Sequence, residues 1–471
     1  MLIHGGIPAR PIWPSSPSNG WVSGVDRITG LPNGKPLVAS AGKTTDPKAA
    51  LPCTACQCTL DGCSVADHHG PYRQGDGFCH VTKNNGTESE CALTLFDTML
   101  PPTFPVESTA FKRLPVGPQH PGTFTSEFGA TSFPSFESLS PSLGSEDDGG
   151  WGLHSKSMRE RNHPADSIIA SYFGLKEREG LDSTGRKPLQ RHLYQSMLAQ
   201  ALNIKSVVET HRAANSFGML TWQLGEVWAT GGWGVMEYGS IGAPGQLPGG
   251  RWKPLLYMMK DSFYADVFAA CGNSSSSMLD LDTGAATDAA AASCYVKNDG
   301  VDPFNGHVVV DAIALATGSV EVLHTQPLAM PSGAGVIERF TIAAVPPRTT
   351  HVLRATVTGS ADAVTGLSNT VNVMLFAPPV ELILHTTTVA WTVSVVSSGA
   401  TKMATIQLSV SGPPALFVVL TTAAPGRFGK NAFMLLPGVA EDVEFLPWGV
   451  LDEDLLKGSL RVEHLADNCC E

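Results

Sequence analysis

Apolar and polar residues follow two different patterns along this chain, and the change falls near Cys271. Before that point apolar residues recur every three or four positions, which predicts helices that each pack on one face. The longest such pattern begins at Pro188, and its apolar residues are Leu193, Met197, Ala201, Ile204 and Val208. A shorter helix is predicted from the capping residue Asp166 to the stop residue Gly174. Its inward face is formed by Ile168, Ile169, Tyr172 and Phe173.

A third helix is predicted directly after Arg251-Trp252-Lys253, with its core face formed by Leu255, Leu256 and Met259. The two histidines of the long helix, His192 and His211, are predicted to be ordinary surface residues.

Beyond Cys271 the chain alternates between apolar and polar residues, as strands with one buried face do. Two sets show this most clearly: Val389, Trp391, Val393 and Val395, and then Ile406, Leu408 and Val410. Turns rich in Pro and Gly separate the runs, a pattern typical of antiparallel β-sandwiches. We predict two such sandwiches that divide near residue 376, after a Ser- and Ala-rich linker that begins at Asn273.

Two short apolar runs before Cys271 predict strands with chemically distinctive C-terminal ends. Residues 124–128 carry Glu127 just before Gly129, which predicts a strand that ends at a turn with a carboxylate at its tip. Residues 217–224 predict a buried strand with Trp222 near its end. Glu can attack a sugar anomeric carbon, and an indole ring can support the apolar face of a pyranose. Taken alone, residues 124–128 are more simply interpreted as carrying a surface Glu at the start of a loop. Residues 217–224, taken alone, are more simply interpreted as carrying a core Trp.

Composition and charge exclude two kinds of partner. The formal net charge of −12 argues against nucleic acid and against an anionic membrane surface. No apolar run reaches the ~18 residues that a membrane span requires. With 48 Gly, 34 Pro and a low charged fraction, the chain favours loops and β-structure over long helices.

Cysteines concentrate in a loop-like stretch between Cys53 and Cys91, where six of the ten lie. With His68, His69 and His80 nearby, these thiols are compatible with a zinc cluster, but disulfides in an extracellular loop are the plainer account. We therefore expect no metal and no cofactor. Two glycosylation sequons, at residues 85–87 and 273–275, favour the secretory pathway, with a lysosomal, vacuolar or extracellular location. Because residues 1–5 are not a signal peptide, the chain is expected to lack its true N-terminus.

Six stretches in chain order resemble the β-mannosidases of glycoside hydrolase family 2. They are Arg-Pro-Ile at 10–12 with Ser-Ser-Pro-Ser-Asn-Gly at 15–20, Asp-His-His-Gly-Pro-Tyr at 67–72, Ser-Glu-Phe-Gly at 126–129 with Phe-Pro-Ser-Phe at 133–136, Leu-Thr-Trp-Gln-Leu at 220–224, Arg-Trp-Lys-Pro-Leu-Leu-Tyr at 251–257, and Gly-Arg-Phe at 426–428 with Asn-Ala-Phe at 431–433. The resemblance covers nearly the whole chain apart from residues 22–66 and the region around 273–300.

The resemblance implies a multidomain fold that is α/β in its first part and all-β in its second. Residues 1–272 would form the C-terminal half of a (β/α)8 TIM barrel, with a Cys-rich insertion at about 22–100. Residues 273–375 and 376–471 would form two immunoglobulin-like β-sandwiches, the latter of the β-mannosidase type.

The resemblance also implies roles for individual residues. Glu127 matches the nucleophile, Trp222 and Gln223 match sugar contacts, and His69 and Tyr72 belong to a substrate-contact segment. Trp233, like Trp228, would line the pocket mouth or pack the loop. Where the family commonly has Asn-Asp, this chain has Gly225-Glu226, which leaves any role for Glu226 in doubt.

The expected activity is retaining exo-β-mannosidase action on terminal non-reducing β-D-mannose of oligosaccharides or glycoproteins. The alternatives are an exo-β-glucosaminidase, an endo-β-mannosidase, or a non-catalytic carbohydrate-binding protein with a decayed barrel. In the family the acid/base is a Glu directly after an Asn, and this chain contains no Asn-Glu pair. We therefore expect the acid/base, with the first half of the barrel, to be absent from this chain, which would then need its missing half to work. The oligomeric state is left open.

Overall fold

A computed structural model describes the chain in segments: residues 67–69, 78–84, 87–88, 109–113, 124–143, 151–159, 166–174, 176–177, 180–213, 218–229, 231–239, 250–273, 291–332, 336–360, 369–398 and 401–469. The chain divides into two compact units. The first contains residues 1–72, 117–129 and 211–222, and the second contains residues 73–116, 130–210 and 223–471. The Cys53–Cys91 cluster lies largely outside the described residues, so its pairing stays a prediction.

The first unit contains a three-stranded parallel sheet. Its strands are β1 (Asp67–His69), β5 (Phe124–Phe128) and β6 (Gly218–Thr221), and they lie side by side in chain order. Parallel neighbours in sequential order require long crossover connections, as in a βαβ unit. The prediction of strands at both places is confirmed, whereas the half-barrel stays a prediction.

The second unit contains the remaining elements that precede the predicted sandwiches. Its strands β2 (Phe78–Asn84), β3 (Thr87–Glu88) and β4 (Thr109–Arg113) form a small antiparallel sheet. Its helices are α1 (Phe136–Leu139), α2 (Lys156–Arg159), α3 (Asp166–Phe173), α4 (Arg186–Ala213, whose last three residues belong to the first unit) and α5 (Pro254–Ser262).

Helices α3 and α4 bury the residues that the apolar pattern predicted. The four apolar residues of α3 are at most 1% exposed, and Gly174 follows with the positive φ of a helix-ending residue. Pro188 lies in the first turn of α4, which begins two residues earlier. Burial is wider than one face, because every residue from His192 to Glu209 is buried. The prediction that His192 lies on the surface is therefore wrong, since His192 is only 3% exposed.

Helix α5 begins at Pro254 and buries Leu255 and Met259 as predicted, whereas Leu256 is half-buried. Tyr257 and Met258 share the buried face instead.

Seven strands then form an antiparallel β-sandwich. They are β7 (Val267–Asn273), β8 (Ala292–Asn298), β9 (Phe304–Ala314), β10 (Val320–Met330), β11 (Val336–Ile342), β12 (His351–Ser360) and β13 (Asn369–Met374). One sheet has the order β10-β9-β12-β13 and the other β11-β8-β7. A disulfide joins Cys271 to Cys294 directly across β7 and β8. Strand β7 starts before the predicted domain limit at residue 272, and the exact limits of the domains stay predictions.

Seven further strands form a second antiparallel sandwich. They are β14 (Val389–Ser398), β15 (Thr401–Val410), β16 (Ala415–Thr421), β17 (Gly426–Phe428), β18 (Phe433–Leu435), β19 (Glu441–Pro447) and β20 (Arg461–Glu463). The sheet orders are β14-β15-β19-β17 and β18-β16-β20, and two short helices, α6 (Glu453–Ser459) and α7 (Leu465–Asn468), flank β20. Ile406, Leu408 and Val410 are buried in its core, which confirms the alternation predicted there.

Candidate functional site

The carboxyl ends of the three parallel strands bring candidate residues to one edge of the sheet. His69 at the end of β1 is in register with Glu127 of β5, and Phe128 is in register with Thr221 of β6. The backbone N–H of Trp222 donates to the carbonyl of Phe128 at 2.7 Å. Because the strands are parallel, His69, Glu127 and Trp222 all lie at the same edge, where catalytic residues of α/β sheets and barrels collect.

Glu127 and Trp222 differ in their exposure. The Glu127 side chain is partly buried and engaged in an interaction, whereas Trp222 is 44% exposed. The prediction that residues 217–224 form a buried strand is wrong, since Leu220 of β6 is 56% exposed. Only strands covered on both faces bury all their side chains, so at least one face of β6 is open at Leu220. An exposed indole ring can stack on the apolar face of a sugar.

The described residues of this unit contain two carboxylates, Asp67 at the start of β1 and Glu127 near the end of β5. Only Glu127 lies at the carboxyl edge. Tyr72 lies outside the described residues, and His69 is described as a strand residue only. The geometry therefore brings together three of the candidate residues and leaves the place of Tyr72 a prediction.

Gln223 and Trp233 belong to the second unit and lie next to each other in its 223–237 loop. The N–H of Gln223 donates to the carbonyl of Trp233 at 3.2 Å, and the carbonyl of Gln223 accepts from Val235 at 3.1 Å. Both side chains are partly buried, while Trp228 is 46% exposed. The main chain of the loop thus holds Gln223 and Trp233 on neighbouring segments.

A buried ion pair, which sequence reasoning missed, joins Glu226 of the same loop to Lys253, directly before α5. The Lys253 ammonium donates to Glu226 at 2.6 Å, and the two side chains are 0% and 2% exposed. Glu226 is therefore an internal partner of Lys253 rather than an open acid. In the sequence, the only sign of an unusual role for Glu226 was its departure from the family pattern. The ion pair itself could not be predicted, because the burial of a charge depends on partners distant along the chain.

A second buried carboxylate, Glu237, organises the Phe-Pro-Ser-Phe motif. It accepts from the Ser135 N–H at 2.8 Å, from the Ser135 hydroxyl at 3.0 Å and from the Ser138 hydroxyl. Arg251 donates to Ser138 at 2.6 Å and to the carbonyl of Ala423 at 2.8 Å. The motif is thus tied both to the loop and to the second sandwich.

Two of the resembling motifs contact each other through their aromatic and cationic residues. The Arg427 guanidinium lies 4.6 Å from the centre of the Trp252 ring, and Trp252 contacts Tyr257 at 5.7 Å between ring centres. Burial raises the pKa of Tyr257 well above its usual value against the opposing effect of Arg427, so its hydroxyl stays protonated. Within the second unit these motifs therefore pack against each other.

Two further properties concern the described part of the chain alone. No three His, Cys, Asp or Glu side chains within it are grouped as a metal site requires. None of its helices is both long and apolar enough to cross a membrane.

Comparison with known proteins supports the same assignment for most of the chain. Residues 384–468 match the Ig_mannosidase family model, an Ig-fold domain. The chain is 25% identical over 367 residues to β-mannosidase A of Aspergillus flavus, covering 69% of this chain and 36% of that protein. It is 29% identical over 154 residues to β-mannosidase of Bos taurus, covering 30% of this chain and 16% of that protein.

A solved structure shares the fold. β-D-Mannosidase from Dictyoglomus thermophilum superposes with a TM-score of 0.52 at 18% identity, over 72% of this chain and 37% of that one. This likeness shows that the chain shares the fold of part of that structure. The chain is thus similar to β-mannosidases, which agrees with the resemblance carried by the six motifs. It spans about a third of the length of the curated relatives that it matches most extensively.

Proposed function

We propose that this chain carries the nucleophile of a retaining exo-β-mannosidase and that Glu127 is that nucleophile. The observation that supports the proposal is the register of the parallel sheet, in which Glu127 near the end of β5 and Trp222 directly after β6 lie at one carboxyl edge. Relatives named β-mannosidase favour mannose over glucosamine as the sugar. The parallel sheet is accordingly taken as part of a (β/α)8 barrel.

In the proposed reaction the Glu127 carboxylate attacks C1 of a terminal β-mannose and displaces the aglycone. This step forms a covalent glycosyl-enzyme of inverted configuration, which water then hydrolyses to restore the β-anomer. A second carboxyl group protonates the leaving oxygen and afterwards takes a proton from the water. That acid/base is not assigned to any residue of this sequence, because no Glu here follows an Asn.

The other candidate residues bind the sugar in this proposal. The exposed Trp222 ring supports the apolar face of the pyranose. Gln223 and His69 bond to hydroxyl groups, Tyr72 extends the same contact segment, and Trp233 lines the mouth of the pocket. The substrate is a glycan, and the two sequons remain the reason to propose a secretory or lysosomal location.

A trapping experiment tests the nucleophile without requiring the acid. Fluoride leaves an anomeric carbon without protonation, and fluorine at C2 slows hydrolysis of the glycosyl-enzyme, so 2-deoxy-2-fluoro-β-D-mannosyl fluoride should label Glu127 covalently. Peptide mass spectrometry should place the label on the peptide that contains residue 127. The gluco-configured reagent is the matched control and should label more slowly.

Glu127→Gln should abolish the labelling while the folded protein keeps its circular dichroism spectrum. A label on another residue, or a folded wild-type chain that takes no label, would contradict the assignment. Faster labelling by the 2-amino-2-deoxy-gluco or gluco series would favour the exo-β-glucosaminidase alternative.

A further inference from the structure

The buried ion pair of Lys253 and Glu226 has further hydrogen-bond partners at both charged groups. Besides Glu226, the Lys253 ammonium donates to the Ser132 hydroxyl at 3.1 Å, and Ser132 donates in turn to Gln200 at 2.8 Å. Burying two charges has a desolvation cost that only good geometry and further hydrogen bonds offset. Such a pair adds little to stability, whereas removal of one partner leaves an uncompensated buried charge.

The 223–237 loop is shaped around the Glu226 carboxylate. The Gly234 N–H donates to that carboxylate at 3.0 Å. A Cβ atom at Gly232 would lie 2.2 Å from the other carboxylate oxygen, and one at Gly234 would lie 2.7 Å from the Glu226 nitrogen. Both distances are too short for any side chain, which explains why glycine occupies both positions.

Backbone hydrogen bonds connect the ion pair to the two candidate sugar contacts. The Lys253 N–H donates to the carbonyl of Val235 at 3.0 Å, and the Val235 N–H donates to the carbonyl of Gln223 at 3.1 Å. Gln223 is bonded in turn to Trp233. The main chain of Lys253 therefore extends the series of backbone hydrogen bonds that includes Gln223 and Trp233. The Lys253 side chain binds Glu226 in the turn that connects Gln223 with Trp233.

We infer that Lys253 and Glu226 are positioning residues that hold Gln223 and Trp233 in the orientation needed to bind the sugar. Neither charged group is open to a ligand, since the two side chains are 0% and 2% exposed. The inference rests on the proposed function for the identity of the ligand, whereas the hold on the loop can be measured without any ligand.

A matched pair of variants separates positioning from general stability. Lys253→Met leaves Glu226 buried without its cation. The control is Lys205→Met, which leaves Glu209 of α4 buried without its cation. The side chains of Lys205 and Glu209 are 9% and 1% exposed. Both variants should lower the melting temperature. A double variant, Lys253→Met with Glu226→Gln, contains no unpaired buried charge and keeps the test informative if Lys253→Met does not fold.

The kinetics of labelling by 2-deoxy-2-fluoro-β-D-mannosyl fluoride give two separate quantities. They are the inactivation constant KI, which rises as binding weakens, and the limiting rate kinact. Lys253→Met and the double variant should raise KI about tenfold or more, because a small displacement of binding groups has a large effect on affinity. Their kinact should change much less, since Glu127 is untouched. Lys205→Met should keep the wild-type KI.

Hydrogen–deuterium exchange supplies a readout that needs no sugar. The amides of Gln223, Gly234 and Val235 should exchange faster in Lys253→Met and in the double variant than in Lys205→Met. Unchanged exchange at these amides would overturn the inference, as would a wild-type KI in the double variant or an equal rise of KI in Lys205→Met. If the wild-type chain takes no label, the proposed function fails, and the exchange experiment still decides whether the pair holds the loop.

Discussion

The pH dependence of stability should be governed in part by Glu463, at the end of β20. Burial raises the pKa of Glu463 from its usual 4.5 to about 7, and the negative charges of Glu137 and Asp467 act in the same direction. Arg461 contacts Glu463 and opposes the rise, but the same guanidinium also binds Glu137 at 3.0 and 3.1 Å. The Arg461 guanidinium is shared between two carboxylates, so it does not offset the desolvation of the Glu463 carboxylate. The neutral acid is therefore the favoured form of Glu463.

The sign of the effect follows from where the proton is held. Between pH 4.5 and 7 folded Glu463 keeps a proton that the unfolded chain has already lost, so the free energy of unfolding falls as pH rises through this window. Below it both states are protonated and the effect vanishes. Above it the full penalty applies, about 3 kcal/mol at about 1.4 kcal/mol per pH unit.

His192 produces the opposite slope and masks this effect in the wild-type protein. Burial lowers the pKa of His192 from 6.5 to about 4, with help from Arg191 and His154. The unfolded chain then binds the extra proton, and stability falls as pH drops from 6.5 to 4. Because the two windows overlap, a flat wild-type profile says nothing about either residue.

The informative quantity is the stability difference between Glu463→Gln and wild type at two pH values. Glutamine resembles the neutral acid and leaves the pair of Arg461 and Glu137 in place. Urea unfolding should show the variant more stable by about 3 kcal/mol at pH 8 and equal to wild type at pH 4. Glu453→Gln, which removes an exposed partner of Lys457, is the control and should show little pH dependence. A variant less stable than wild type at pH 8 would refute the reasoning, since the ion pair with Arg461 would then outweigh burial.

Three further outcomes are expected. Glu127→Gln in any active preparation should abolish hydrolysis of an aryl β-mannoside with little change in melting temperature. Azide should partly restore turnover of an activated substrate and give the α-mannosyl azide as product. Wild-type turnover in the variant would place the nucleophile elsewhere. Gly232→Ala should destabilise the protein by about 2 kcal/mol or more in thermal unfolding, because the new methyl group meets the Glu226 carboxylate, and an unchanged melting temperature would contradict that contact. Tyr194→Phe should cost about 1–2 kcal/mol in urea unfolding, because the carbonyl of Phe417 loses a donor at 2.8 Å, and a neutral result would show that the hydroxyl contributes nothing.

Sequence patterns predicted the elements well where one physical cause dominates. The buried residues of α3 and α4 follow from apolar spacing, and Ile406, Leu408 and Val410 follow from alternation, because burial of apolar side chains decides both. The strand-end places of Glu127 and Trp222 followed from local turn signals together with the family resemblance.

Polar residues in the interior could not be predicted in the same way. His192 of α4 was predicted to lie on the surface, yet it is buried, and Gln200 is a polar residue on the apolar face of the same helix that is also buried. Lys253 and Glu226 are 27 positions apart and become partners only when the loop closes. Whether a charge is buried depends on a partner that the local sequence does not contain, and so the scaffold around the site could not be read from the residues.

The polar face of α4 has a consequence for how the protein comes apart. Tyr194 donates to the carbonyl of Phe417 at 2.8 Å and Gln195 to the carbonyl of Asn468 at 2.7 Å, so the helix completes the hydrogen bonding of the second sandwich's main chain. Detaching that sandwich would break both hydrogen bonds and expose the buried surface of the helix to water. The helix and the C-terminal sandwich should therefore melt in one cooperative transition, and a protease should find no early cleavage point that frees the sandwich intact.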